Sequence, residues 1–70
     1  NMVTKGYRVT DLDLEVLKAF FNSTSDREGA ATLHMSHHAF RYHVAKIYTV
    51  TGLNPRRPAD MMELYERYLK

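Results

Sequence analysis

Cysteine is absent from this 70-residue sequence, and glycine occurs only three times. The absence of cysteine excludes disulfide bonds and thiolate metal sites, and it fits a reducing compartment, so we expect a cytoplasmic protein. No apolar run reaches the roughly 20 residues that cross a bilayer, and no signal-peptide pattern is present. The three glycines form no phosphate-binding loop, and no nucleophile is followed by an oriented base. We therefore expect neither a membrane protein nor an enzyme, and no cofactor.

Acidic residues are missing from the middle of the chain. No Asp or Glu occurs from Gly29 to Ala59, whereas this stretch contains all four histidines and four of the basic residues: Arg41, Lys46, Arg56 and Arg57. The net charge of the whole chain is only +2. A basic centre between acidic flanks suits the binding of a polyanion such as nucleic acid, although an ordinary solvated surface gives the same pattern.

Capping signals predict the first two helices. Residues 1–9 lack periodicity and are interpreted as an arm or linker end, so that the domain spans 10–70. Thr10 begins a Thr-Asp-Leu-Asp sequence typical of a capping box, and Ser25 with Glu28 forms a second one. The helix that follows Ser25 is short and should stop near His34.

The same signals predict two further helices. Ser36 is an N-cap for a helix over about 37–50, and Gly52 stands where a left-handed C-cap belongs. Pro58 suits the first position of a fourth helix. No segment alternates as a strand does. The expected fold is all-α, a small four-helix bundle in which a trihelical core is followed by a C-terminal helix.

The short connection between the second and third helices predicts a helix-turn-helix at 25–49. Two helices joined by about three residues cross steeply, and this needs a small residue such as Ala30 at the contact. Phe40, Val44 and Ile47 would form the buried side of the third helix. A larger apolar residue is expected to pack better than Gly29, because glycine within a helix is unfavourable by about 0.5–1 kcal/mol.

The opposite side of the third helix carries His38, Tyr42 and Lys46, with Arg41 beside them. Imidazole, phenol, guanidinium and ammonium groups on one helix face suit the DNA major groove. The backbone N–H groups that follow Ser36 suit a phosphate.

The C-terminal half resembles a known family. Leu33-His34, Arg41-Tyr42, Ile47, Thr51-Gly52-Leu53, Pro58-x-Asp60 and Leu64-Tyr65 look like the C-terminal helix-turn-helix of PucR/CdaR-type bacterial transcription regulators. A second pattern, which includes Leu14-Glu15-Val16-Leu17, Arg27-Glu28, His43-Val44 and Gly52, is similar to the LuxR/GerE type over residues 9–53.

Both resemblances imply sequence-specific binding of double-stranded DNA as a homodimer, through the C-terminal helix or through domains outside this sequence. They also imply that any small-molecule effector site lies outside it. By position, the residues implied to read or touch base edges are His37, His38, Arg41 and Tyr42. The residues expected to contact phosphates are Ser25, Arg27, Ser36, Lys46, Arg56 and Arg57.

Three further interpretations stay open. His34 with His37 or His38 has a spacing at which two histidines can share a metal, but no cysteine or nearby acid completes a ligand set, so we expect surface or DNA-facing imidazoles and no metal. If several of the histidines face DNA, their protonation below about pH 6.5 should strengthen DNA binding.

The last helix has more apolar surface than a small core needs, and its candidates for a dimer surface are Met61, Met62, Tyr65 and Tyr68.

The alternative function is a degenerate helix-turn-helix that acts as a protein-interaction module. The low net charge, the unusual His37-His38-Ala39 sequence and the apolar last helix favour it.

Overall fold

Four α-helices and a closing π-helical turn make up residues 8–70, the part of the chain that this computed structural model describes. The elements in chain order are α1 (Asp11–Phe21), α2 (Asp26–Thr32), α3 (His37–Thr51), α4 (Pro58–Leu64) and the π-helical turn (Tyr65–Leu69). Residues 8–70 contain no strand, so the expected all-α fold is confirmed. Of the proposed arm over 1–9, residues 1–7 lie outside the described part.

The predicted N-caps are present at all three of the first helices. The side chains of Thr10, Ser25 and Ser36 each accept a hydrogen bond from the backbone N–H three residues on. At α1 the capping box is complete, because Asp13 accepts from the Thr10 N–H at 2.9 Å. At α2 the reciprocal bond differs from the prediction, since Glu28 reaches past Ser25 and accepts from the N–H and hydroxyl of Thr24, both at 2.7 Å.

The turn between α2 and α3 is a Schellman motif. The Met35 N–H donates to the Ala30 carbonyl at 3.0 Å, and the His34 N–H donates to the Ala31 carbonyl at 3.1 Å, which is the nested pair of bonds that defines this helix end. His34 takes the left-handed conformation at φ 57°. The four residues from Leu33 to Ser36 thus connect α2 to α3 in one tight loop.

The core consists of two clusters on either side of α1. Val16 packs with Ala30, Phe40 and Val44, and this first cluster joins α1, α2 and α3. The neighbouring Leu17 belongs to the second cluster, which joins α1, α3 and the C-terminal helix. Its buried members are Leu17, Ile47 and Leu64. The trihelical core and the fourth helix therefore share α1 and α3 as common walls.

The structure shows that the expectation of better packing by a larger residue at Gly29 is wrong. A Cβ at this position would lie 2.5 Å from Cζ of Phe40, whose side chain is fully buried. A larger residue would not pack better there, because the Phe40 ring already occupies the space above the α2 backbone. Glycine is needed at Gly29 for the close approach of α2 to α3.

The loop after α3 is held by short polar side chains. Gly52 ends α3 in the left-handed conformation at φ 78°, and the Thr51 hydroxyl accepts from the Leu53 N–H at 3.1 Å. The carboxylate of Asp60 accepts from the Asn54 N–H at 3.0 Å, so the first turn of α4 is tied to the start of the loop. Pro58 occupies the start of α4 as predicted. Within residues 8–70 no helix is long and apolar enough to span a membrane.

Candidate nucleic-acid interface

The third helix has one buried face and one exposed face, as expected of a recognition helix. Phe40, Val44 and Ile47 are at most 2% exposed. Tyr42 is 65% exposed, and Arg41 is exposed beside it. The exposed residues of this face recur every three or four positions and are His38, Arg41, Tyr42, Ala45, Tyr48 and Thr49. The side of α3 that points away from the core therefore carries three of the four residues expected to read base edges, and the fourth, His37, is half-buried.

Asp13 connects α1 to α3 from inside the domain. Its carboxylate is 0% exposed, and it accepts from Nζ of Lys46 at 2.9 Å and contacts Nδ1 of His43 at 2.7 Å. Burial raises the pKa of Asp13, but the hydrogen bonds from Lys46, Thr10 and His43 outweigh it and lower that pKa from 3.8 to about 2. The carboxylate is therefore ionised at neutral pH, and Lys46 is used in part to compensate it.

Asp26 makes the corresponding connection on the other side. This first residue of α2 accepts from Nε of Arg41 at 3.1 Å and from two terminal nitrogens of Arg56, at 3.0 and 3.3 Å. The Arg56 guanidinium also lies 5.2 Å above the ring of Phe20. The hydrogen bond from Arg56 lowers the pKa of Asp26, and Arg41 adds to this against the opposing effect of burial.

These two acids change the electrostatics that the sequence suggests. The stretch from Gly29 to Ala59 has no acid of its own, but Asp13 and Asp26 fold onto it and pair with three of its four basic residues. Within residues 8–70, Arg57 is the one of the four with no carboxylate in ion-pair range. Sequence reasoning missed both acids, because each reads as an ordinary first-turn acid of a helix.

Among the histidines of the turn and of α3, His37 and His38 form a close pair. The rings of His37 and His38 are 4.2 Å apart. Partial desolvation lowers the pKa of His37, and the charges of His38 and Arg27 act in the same direction. Over residues 8–70, no three His, Cys, Asp or Glu side chains are grouped so that they could hold a metal ion.

The candidates for phosphate contact fall into two groups. Lys46 and Arg56 are held by Asp13 and Asp26, as described above. Arg27 and Arg57 are exposed, and so are Ser25 and Ser36, whose hydroxyls still have a proton to donate after accepting the capping bonds. The second group is therefore accessible to a bound backbone without the loss of an existing ion pair.

The four candidates for a dimer surface differ in how far they are packed into the core. Met61 and Tyr68 pack against the second core cluster, whereas Met62 is 59% exposed. Tyr65 stacks on the exposed ring of Phe21 with centroids 5.0 Å apart. This stacked pair lines a surface cavity of about 400 Å³ together with Lys18, Asn22, Tyr68 and Leu69. Apolar surface is thus present at the C-terminal helix, but only some of the four candidate residues contribute to it.

The fold and this exposed helix define a class of protein. Helices α2 and α3 joined by a tight turn, α1 packed against both and an exposed face on α3 are the architecture of helix-turn-helix DNA-binding domains. The family model of the PucR C-terminal helix-turn-helix domain matches residues 13–66, and the chain belongs to this family. No curated protein and no solved structure matches the chain significantly.

Family membership confirms the first of the two resemblances seen in the sequence and assigns the chain to DNA binding in transcription regulation.

Proposed function

We propose that this chain is the sequence-specific DNA-binding domain of a bacterial transcription regulator and that α3 enters the major groove of its site. The observation that carries the proposal is the exposed face of α3, on which His38, Arg41 and Tyr42 follow one another at helical spacing. The B-DNA major groove is about 12 Å wide and admits one α-helix, whose side chains then reach the base edges. His37 at the first turn of α3 completes the proposed set of base readers.

Phosphate contacts would come from groups beside this helix and at its first turn. The N–H groups of His37 and His38 at the start of α3 have no acceptor within the helix and suit a phosphate oxygen, whereas the N–H of Ala39 donates to the Ser36 hydroxyl. Ser25 and Arg27 at the start of α2 and Arg57 in the loop before α4 are exposed and accessible for the same purpose. Lys46 and Arg56 remain candidates, but each would exchange a carboxylate for a phosphate, so we expect a smaller gain in affinity from them.

The test begins with selection of a binding site from a random duplex library, followed by titrations of the selected duplex. Arg41→Ala should weaken binding about 5- to 150-fold if Arg41 reads a guanine. Arg67→Ala is the matched control, because it also removes one exposed guanidinium, but from the π-helical turn, where Arg67 pairs with Glu63. This control should bind almost as the unmodified chain does.

The salt dependence of the affinity tests whether the chain binds DNA at all. Neutralisation of phosphates releases counterions, so affinity should rise as salt falls from about 200 to about 50 mM. If no duplex, including the promoter DNA of neighbouring genes, gains affinity over this range, the proposal is wrong.

The surface around Phe21, Met62 and Tyr65 supports homodimerisation as a second activity. The Phe21–Tyr65 pair and Met62 leave aromatic and thioether groups exposed on or beside the C-terminal helix, and such groups are more typical of interfaces than of free surface. Met62→Glu should dissociate the dimer in sedimentation velocity, whereas Leu12→Glu, an equal change on the exposed side of α1, should not. If the unmodified chain sediments as a monomer at all concentrations, this surface by itself does not form a dimer.

A further inference from the structure

The cluster of Asp26, Arg41 and Arg56 joins three separate parts of the interface. Asp26 is the first residue of α2, Arg41 lies on the exposed face of α3, and Arg56 lies in the loop before α4. The Asp26 side chain is only 14% exposed, although both arginines are about half exposed. One carboxylate with two guanidinium groups leaves the cluster with a net positive charge, so it does not repel a DNA backbone.

The two arginines bind this carboxylate in different ways. Arg56 uses two terminal nitrogens, at 3.0 and 3.3 Å, in the fork geometry that favours carboxylates. Arg41 uses only Nε, at 3.1 Å. Within residues 8–70, its two terminal nitrogens donate to no side chain or carbonyl. Arg56 therefore neutralises Asp26, and Arg41 is held by its inner nitrogen with its outer edge unused.

We propose that Asp26 is a positioning residue for sequence recognition, which orients the Arg41 guanidinium so that its two terminal nitrogens meet O6 and N7 of a guanine. This inference rests on the proposed function. An unrestrained arginine loses much of its rotamer freedom when it makes a bidentate contact, and a guanidinium that is already fixed loses less. Asp26 thus contributes to discrimination between bases without contacting DNA itself.

Arg56 has a defined part in this arrangement. Its stacking over Phe20 and its two bonds to Asp26 keep a cation on the carboxylate when Arg41 engages DNA. Without Arg56, the carboxylate would attract Arg41 more strongly and compete with guanine for the terminal nitrogens. We therefore expect Arg56→Ala to reduce discrimination as well as overall affinity.

A purely structural role for Asp26 predicts a different outcome. Ion pairs whose arginines are about half exposed contribute little to folding, so the loss of these pairs should hardly change the stability of the domain. Any structural weakening would also lower the affinity for all sequences together. Discrimination between bases is the property that separates the two roles.

The experiment compares Asp26→Asn with Glu28→Gln. Both remove one negative charge from the first turn of α2, but Glu28 bonds to Thr24 and to no arginine. The probes are the selected duplex and a set of duplexes in which each guanine in turn is replaced by 7-deazaguanine or by another base. Circular dichroism and thermal melting check that both variants fold.

We expect Asp26→Asn to reduce discrimination at the guanine that Arg41 reads by about tenfold, within the range of one bidentate contact. Binding to random-sequence DNA should be unchanged or stronger, because one anion is gone. In an Arg41→Ala background, Asp26→Asn should cause no further loss of discrimination. Glu28→Gln should leave discrimination unchanged.

Two results would overturn the inference. One is full discrimination in Asp26→Asn, and the other is an equal loss of discrimination in the presence and absence of Arg41. These results differ from failure of the proposed function, in which the unmodified chain itself shows no salt-dependent binding to any duplex.

Discussion

At the scale of single residues, Gly29 shows how one missing side chain sets the distance between two helices. The backbone of α2 lies against the buried ring of Phe40, and Gly29 is the point of contact. Helix propensity favours alanine over glycine by about 0.5–1 kcal/mol. The structure opposes this preference, because an added Cβ would meet ring atoms at 2.5, 3.0 and 3.2 Å.

Gly29→Ala should destabilise the domain by about 1–2 kcal/mol, since overpacking of a full core outweighs the propensity gain. Urea denaturation followed by circular dichroism measures this difference. The same substitution should be less harmful in a Phe40→Leu background, where the shorter side chain leaves room for the Cβ. A Gly29→Ala variant more stable than the parent would contradict the close contact.

At the same scale, the ion-pair roles of Asp13 and Asp26 are not indicated by the sequence. Asp13 and Asp26 each lie in the first turn of a helix, where an acid is common for reasons of the helix dipole. Their distinguishing feature is the set of cations that meets them, from residues 15 to 33 positions away along the chain. Only the fold brings these partners together.

At the scale of elements, the turn of the helix-turn-helix depends on a left-handed residue that is not glycine. His34 has φ 57°, whereas the equivalent left-handed position after α3 is occupied by Gly52. A residue with a Cβ is less favourable there by about 1 kcal/mol. The nested hydrogen bonds of the Schellman motif hold His34 in place despite this cost.

His34→Gly should therefore be more stable than His34→Ala by about 1 kcal/mol, because both lack the imidazole and only glycine relieves the backbone. The comparison of these two variants removes any effect of the ring, and their midpoints of urea denaturation give the difference. Equal stability of the two variants would mean that the turn is not strained at His34.

At the scale of the whole molecule, Asp13 is the polar link between α1 and α3. It is fully buried and compensated by Lys46 and His43, so its ionised form belongs to the folded state. Its pKa is about 2 in the folded chain against an ordinary value of 3.8. A carboxyl with a lowered pKa stabilises the fold above its unfolded pKa and loses that contribution as the pH falls towards its folded pKa.

Acid should therefore destabilise the domain between about pH 4 and about pH 2, and the part due to Asp13 should be about 2 kcal/mol. The lowered pKa of Asp26 acts in the same direction. The measurement is the free energy of unfolding from denaturant titrations at pH 7 and across this acidic range.

The matched variant combines Asp13→Asn with Lys46→Met, because removal of the carboxylate alone would leave the Lys46 ammonium, whose side chain is only 19% exposed, without its partner. The double variant should lose about 2 kcal/mol less than the parent on acidification. An equal loss in both chains would show that Asp13 is not the source of the acid sensitivity.

The sequence by itself determined the elements of this protein. The caps at Thr10, Ser25 and Ser36, the C-cap at Gly52 and the proline that opens α4 are local signals, in which a side chain acts on backbone groups within a few residues. The buried side of α3 also followed from periodicity alone. Such signals suffice for the helices and for the family, because they do not depend on distant parts of the chain.

Only the tertiary structure decided which charges remain available for DNA. Asp13 and Asp26 pair with Lys46, Arg41 and Arg56, although no local pattern connects them. The contact of Gly29 with Phe40 and the partial burial of the last helix were decided in the same way. The physical reason is that ion pairing and packing depend on distances in space, and these are set only when the helices assemble.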